Sequence, residues 1–213
     1  MAGLIEKIDK KHYKWTPSTT KDKDTDTEAI YRDFYSLLGR EEGFKDLHEE
    51  QKVNFTIIAE SIAPLRELIP MDYNQVENMI RQVGLQLEVL LLKYKKGILY
   101  LNVEDIIVID RSFFFLRGLE NIINLQKEEL LITYPLKIEK ADEQFIAPEL
   151  KQKMAEKVLP FKTSLNGVYY SLGKLCLYCL QLEDLETLKG SKMYYFLERC
   201  LKVEPTERYF LYI

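Results

Sequence analysis

The segment FIAPE at residues 145–149 is the first of three short motifs that decide the fold of this chain. It is followed by YSLG at residues 170–173 and by LKVEPTER at residues 201–208. Apolar residues around the three motifs recur at the spacing of an α-helix. The helices predicted from this pattern span about residues 148–157, 164–182 and 191–202.

Shorter elements precede these helices. Residues 17–27 are polar and lack an apolar anchor, which is typical of a mobile loop. The spacing of apolar residues, helix-capping residues and runs of β-branched residues predict the other elements. They are one or two strands within residues 1–16, a helix at 28–38, a strand at 53–59, a helix at 73–94, and strands at 106–109 and 113–116 joined by a tight turn. An α-rich α+β domain follows from this order.

The composition limits which kinds of partner the protein can be expected to bind. Of the 213 residues, 46% are hydrophobic and 30% are charged, which is ordinary for a globular chain. The net charge of −4 argues against nucleic acid, since phosphate binding requires a basic surface. We find neither an apolar run long enough for a membrane span nor a secretory signal, so a cytoplasmic protein is expected.

The order and spacing of the three motifs resemble the C-terminal lobe of a protein kinase. In that family an Ala-Pro-Glu ends the activation segment, a Ser-Leu-Gly lies in a buried central helix, and a Pro-x-x-Arg follows the penultimate helix. The resemblance covers about residues 53–213. It implies a kinase-like α+β fold, with a reduced N-lobe-like region at residues 1–60 and a mostly helical C-lobe-like domain at residues 61–213.

The residues needed for phosphoryl transfer do not match the family. Transfer requires a glycine-rich cradle, a lysine, carboxylates for Mg²⁺ and a catalytic Asp. Residues 1–20 contain one glycine, and the His-Arg-Asp position is occupied by YLN, which ends at Asn102. The metal-binding Asn position falls near Asp105, and Arg117 begins the RGL that replaces Asp-Phe-Gly. A cation at that place disfavours metal-bound ATP.

The resemblance assigns structural roles to other residues. It implies a buried ion pair between Glu149 and Arg208, the alternative being that both lie on the surface. Asn102 and Asp105 are better explained by turn formation than by a vestigial catalytic role, since Asn and Asp stabilise tight loops. No catalytic residue, metal site or cofactor is predicted.

Two groups of inactive kinase relatives fit the pattern. One is the set of short pseudokinases encoded by large DNA viruses. The other is the non-catalytic C-lobe module of actin-nucleation and scaffold proteins. The remnant of an N-lobe favours the viral group, which extends the expected location to the virion. The function expected from the resemblance is a protein-binding scaffold or structural component that contacts a viral or host protein, or a second copy of itself.

The partner surface is expected at the remnant cleft between residues 53–70 and 97–120. Phe113, Phe114 and Phe115 supply aromatic groups there, either as contacts for a partner or as core residues. The alternative function is an atypical active kinase, or a nucleotide-sensing switch, that uses residues such as Lys14, Glu104 and Asp105.

The spacing of two cysteines allows a further functional interpretation. Cys176 and Cys179 form a C-x-x-C, which raises metal or redox chemistry. Both lie within an apolar helical run, so buried small side chains are the better interpretation.

Overall fold

A computed structural model describes residues 4–16, 26–39, 44–49, 52–119 and 121–211. Within these ranges the protein is mixed α+β, as the sequence predicts, and it contains several small antiparallel sheets. Most of the predicted loop at 17–27 lies outside the described residues.

The helices and strands are numbered in chain order. The helices are α1 (Asp26–Leu37), α2 (Tyr73–Leu92), α3 (Pro148–Glu156), α4 (Gly167–Leu180) and α5 (Lys192–Cys200). The strands are β1 (Leu4–Lys7), β2 (His12–Thr16), β3 (Phe44–Glu49), β4 (Lys52–Ile58), β5 (Ile62–Pro64), β6 (Lys96–Ile98), β7 (Ile106–Ile109), β8 (Phe113–Leu116), β9 (Ile122–Gln126), β10 (Glu129–Ile132) and β11 (Phe161–Ser164). The predicted helices and the predicted β7–β8 hairpin are confirmed, with ends that differ by a few residues.

The described residues group into two compact units that are discontinuous in sequence. The first contains those within Met1–Leu68, Gln82–Tyr94 and Val103–Glu120, and the second contains the remainder. The grouping therefore differs from the predicted division at residue 60, because the β7–β8 hairpin and part of α2 cluster with the N-terminal residues. A reduced N-lobe at residues 1–60 stays a prediction.

An aromatic cluster forms the core of the first unit. A four-stranded antiparallel sheet in the order β1-β2-β4-β3 places Trp15 opposite Phe55. Helix α1 adds Tyr31, whose ring centroid lies 4.3 Å from that of Trp15 in an edge-to-face arrangement. Phe115 of β8 contacts the same cluster, with its ring centroid 5.5 Å from that of Trp15. Such pairs add about 0.5–1.5 kcal/mol each beyond the burial of their area.

A second, three-stranded sheet in the order β5-β7-β8 belongs to the same unit. The turn between β7 and β8 has two left-handed residues, Asp110 at φ 50° and Arg111 at φ 60°. They are the central residues of a tight turn that closes when the Ser112 N–H donates to the Ile109 carbonyl at 3.2 Å. The Asp110 carboxylate also accepts the backbone N–H groups of Glu60 at 2.7 Å and Ser61 at 3.0 Å, which ties the hairpin to the segment before β5.

Two glutamines of α2, one helical turn apart, bind the outer edge of β8. Gln82 accepts from the backbone N–H of Phe114 at 2.7 Å and donates to the carbonyl of Ser112 at 3.1 Å. Gln86 donates to the carbonyl of Phe114 at 2.8 Å and accepts from the N–H of Leu116 at 2.9 Å. The two side chains therefore take the place of a neighbouring strand, and they satisfy backbone groups that would otherwise be buried without partners.

The second unit contains a four-stranded antiparallel sheet in the order β11-β10-β9-β6. The sequence predicted none of these four strands. A buried apolar cluster packs in this unit, and its members are Leu99, Tyr100, Ile123, Leu130, Ile132, Ile146 and Leu150. Helix α4 is the most buried helix of the unit, because nine of its fourteen residues are buried.

No helix in the described ranges combines the length and apolar character needed to cross a bilayer.

We expect the substitution Gln86→Leu to destabilise the protein by about 2–4 kcal/mol, because it leaves two buried backbone groups of β8 without partners. Urea denaturation followed by circular dichroism measures the effect. Gln144→Leu is the matched control, since Gln144 is exposed and donates only to the carbonyl of Ala141. Equal stability of the two variants would contradict the role given to Gln86.

Candidate functional site

The two residues predicted to form an ion pair are in contact. Arg208 Nη1 lies 2.6 Å from Glu149 Oε1, and Arg208 Nη2 lies 2.9 Å from Glu149 Oε2, so the pair is bidentate. The Arg208 side chain is fully buried, and that of Glu149 is 21% exposed. The guanidinium also donates to the carbonyls of Lys202 at 2.6 Å and Val203 at 2.5 Å. Its charge is thus compensated and its donors are used, which a buried cation requires.

The three sequence motifs position this pair. Pro148 occupies the first turn of α3, where its missing N–H costs nothing, and Glu149 follows it directly. A 3₁₀ turn at Pro205–Glu207 presents Arg208, and the Asn166 side chain fixes the turn by donating to the Pro205 carbonyl at 3.0 Å.

The glycine of YSLG permits a close approach of two helices. A Cβ added at Gly173 would lie 3.0 Å from Cys200 Cβ and 3.1 Å from Leu201 Cδ2. Contacts this short require the neighbours to move, so a larger residue would push α5 away from α4. Tyr170, from the same motif, places its ring 5.1 Å from the Arg208 guanidinium. The second unit is therefore organised around Arg208.

Asn102 and Asp105, which occupy the degenerate catalytic-loop positions, belong to different units. Asn102 is buried in the second unit, and Asp105 is buried in the first unit at the end of a 3₁₀ turn. The Asp105 carbonyl accepts the backbone N–H groups of Arg117 at 2.9 Å and Gly118 at 3.3 Å. A Cβ at Gly118 would lie 2.1 Å from Asp105 Oδ1, so a larger residue there would require the Asp105 side chain to move. The backbone of Asp105 thus anchors the segment that begins at Arg117, and a turn-forming role of the Asp105 side chain stays a prediction.

Arg117 is held in place by backbone and side-chain contacts of the first unit. Its Nε donates to the carbonyl of Glu104 at 2.9 Å, and its own carbonyl accepts from the Tyr31 hydroxyl at 2.7 Å. Its Nη2 lies 3.9 Å from the Glu104 carboxylate. The other oxygen of that carboxylate contacts Arg66 Nη2 at 2.6 Å. Two arginines thus converge on Glu104, and the sequence did not predict this cluster.

Lys14 and the C-x-x-C motif are also placed by the structure. Lys14 lies on β2 with a partly buried side chain, between the buried residues Tyr13 and Trp15. Burial raises the pKa of Cys179 to about 12, and it raises the pKa of Cys176 as well.

Across the part of the chain that the structure describes, no cluster of three His, Cys, Asp or Glu side chains could hold a metal ion.

The expected partner contact at the three phenylalanines needs correction. Phe114 and Phe115 are fully buried, and the Phe115 ring stacks on that of Tyr31 with the centroids 6.0 Å apart. They cannot contact a partner while the unit is folded. Phe113 is partly exposed at the start of the strand.

We expect the three cysteines to react slowly with Ellman's reagent at pH 8 in the native protein. The thiolate is the reacting species, and the raised pKa of each buried thiol keeps its thiolate fraction small. The same protein in urea should release three equivalents of the chromophore. Fast labelling of the native Cys176–Cys179 pair would favour the redox interpretation instead.

We expect Glu149→Ala to destabilise the protein by about 3–5 kcal/mol, because it leaves the buried Arg208 charge uncompensated. Chemical denaturation of the wild type and the variant measures the difference. The matched control is Glu156→Ala, which removes an exposed Glu from the same helix; its pair with Lys153 is worth at most about 1 kcal/mol. A loss for Glu149→Ala no larger than that of the control would show that the buried pair is not needed.

Comparison of the sequence with protein-family models and with curated proteins gives no match. The function of the chain therefore has to be inferred from its own residues and their geometry.

Proposed function

We propose that this chain is a pseudokinase, a kinase-like protein that binds other proteins and does not transfer phosphate. The observation that carries the proposal is the fixed position of Arg117. This residue stands where the resemblance aligns the metal-binding Asp of a kinase, and its guanidinium is anchored by the Glu104 carbonyl at 2.9 Å.

The chemistry at Arg117 opposes metal-dependent phosphoryl transfer. A kinase needs a carboxylate at this place, because Mg²⁺ neutralises charge on the β- and γ-phosphates. A guanidinium cannot be deprotonated in a protein, and it supplies no metal ligand. Because its Nε is used by the backbone, Arg117 cannot swing away without losing a partly buried hydrogen bond. The substitution therefore favours a site without bound metal.

The order of elements supports the kinase-like part of the proposal. A small antiparallel sheet carries an inserted helix, α1, and is followed by the long helix α2. The β7–β8 hairpin comes next, and the bidentate Glu149–Arg208 pair joins the start of α3 to the segment after α5. In the kinase family the same order runs from the hinge strand to the catalytic loop and hairpin, and then to the motifs of the C-lobe.

A scaffold role follows from what the chain retains and what it lacks. The buried ion pair, the aromatic cluster and the glutamine-bound strand edge all serve rigidity. The positions expected to serve chemistry are filled by Asn102, Asp105 and Arg117. Rigid units whose catalytic positions are filled in this way are suited to holding a protein partner, which we take to be a viral or host protein or a second copy of the chain.

The proposal is tested by thermal melting of the full chain with and without ATP and Mg²⁺. A ligand at one hundred times its Kd adds about 2.7 kcal/mol, which would raise the Tm by roughly 5–10 °C for a chain of this size. We expect no such shift and no transfer of a radiolabelled γ-phosphate. Matched samples with EDTA separate magnesium-dependent binding from binding of free nucleotide.

A magnesium-dependent rise in Tm with phosphate transfer would support the atypical kinase instead. A rise without transfer would support a nucleotide-sensing switch. The scaffold role itself requires a protein partner, so the second measurement is cross-linking of the full chain in the cells that produce it, followed by light scattering of the purified complex. A discrete complex of fixed stoichiometry is the expected result.

A further inference from the structure

We propose that Arg66 and Arg117 form a binding site for an acidic segment of a protein partner, and that Glu104 occupies this site when the partner is absent. This inference rests on the proposed scaffold function, because it names the chemistry by which the partner is recognised. The ligand groups are the carboxylates of Asp or Glu side chains.

Arg117 supplies the fixed half of the site. The Glu104 carbonyl binds its Nε at 2.9 Å, and this contact involves the backbone, so it persists when the Glu104 side chain moves. The distance of 3.9 Å between Arg117 Nη2 and Glu104 Oε2 is too long for a hydrogen bond. The carboxylate therefore attracts this guanidinium without satisfying its Nη2 donor. The Arg117 side chain is 12% exposed, so a ligand would meet it at the floor of the site.

Arg66 supplies the accessible half. It lies in the 3₁₀ turn at Leu65–Leu68, and its side chain is 66% exposed. Its Nη2 reaches Glu104 Oε1 at 2.6 Å, and Glu104 itself is 47% exposed. Ion pairs this exposed are worth about 0–1 kcal/mol, because water solvates both partners when they separate. A partner carboxylate can therefore replace Glu104 at little cost.

The three side chains of the site carry one positive charge in excess. Two guanidinium groups share the Glu104 carboxylate, so Arg66, Arg117 and Glu104 together have a net charge of +1. Asp105 is adjacent in sequence, but it is buried and its Oδ1 lies against Gly118. Because arginine binds carboxylates with fork geometry, two neighbouring acidic side chains could each engage one guanidinium.

The Glu149–Arg208 pair in the second unit is a contrasting case, because an external ligand cannot displace it. Arg208 is fully buried, and it bonds both oxygens of Glu149 as well as two backbone carbonyls. An external ligand cannot reach that guanidinium without unfolding its surroundings. The contact between Arg66 and Glu104 is open to solvent on both side chains, which is the arrangement expected of an occupied but exchangeable recognition site.

The test measures binding of a fluorescently labelled hexaglutamate peptide to the full chain by anisotropy at low salt and without nucleotide. Glu104→Gln removes the resident carboxylate, and we expect it to tighten binding about fivefold, the upper range for an exposed ion pair. Arg66→Ala, alone or combined with Glu104→Gln, should weaken binding below that of the wild type. Urea denaturation of each variant verifies that it folds.

Glu77→Gln is the control, since it removes a partly exposed carboxylate that contacts one arginine, Arg81, at 2.8 Å. Equal tightening by Glu77→Gln and Glu104→Gln would overturn the proposal, as would unchanged binding in Arg66→Ala. Tighter binding of a single-phosphoserine peptide than of hexaglutamate would overturn the assignment to carboxylates. These measurements contain no ATP, so a failed peptide result leaves the test of the scaffold by melting and cross-linking intact.

Discussion

Buried backbone groups have to find hydrogen-bond partners, and the structure of the first unit depends on how one strand meets this requirement. Strand β8 lies at the edge of its sheet and has no neighbouring strand on its outer side within the described residues. Gln82 and Gln86 provide the missing partners from one face of α2. The glutamines therefore help to hold the strand that places Phe115 in the aromatic cluster and that Arg117 directly follows. In this way two amide side chains support both the core of the first unit and the candidate site.

The two arginine–glutamate clusters show how burial divides structural from recognition roles. Desolvation makes the Glu149–Arg208 pair costly to break, so it contributes rigidity and is closed to ligands. Solvent makes the Arg66–Glu104 contact weak, so it contributes little stability and can be exchanged. The same residue types therefore serve opposite purposes, and the exposed fraction of each side chain decides which.

Part of this structure could be predicted from the sequence. Long apolar repeats defined the helices, and the run of β-branched residues before Asp110 defined the hairpin. The Glu149–Arg208 contact was predicted by resemblance to a family, although 59 residues separate the two positions. Strands β9 to β11 were missed because each is short and mixes apolar with polar residues, so the sequence pattern alone does not identify them.

The candidate site was harder to predict than the fold. The i, i+4 spacing of Gln82 and Gln86 was visible, but nothing in the sequence indicated that they face a strand. The convergence of Arg66 and Arg117 on Glu104 arises from tertiary folding alone. The orientation of Phe113, Phe114 and Phe115 could not be predicted either. The two-residue alternation of a strand does not separate core from surface residues when both of its faces are covered.

The glycine in the middle of α4 constrains how the chain can diverge. Gly173 and Cys200 occupy one shared volume, because a methyl group on the first would press on the side chain of the second. The Leu201 side chain borders the same space, with its Cδ2 3.1 Å from the added methyl group. Divergence at position 173 is consequently coupled to positions 200 and 201 together, and a larger residue at 173 requires the end of α5 to move away from α4.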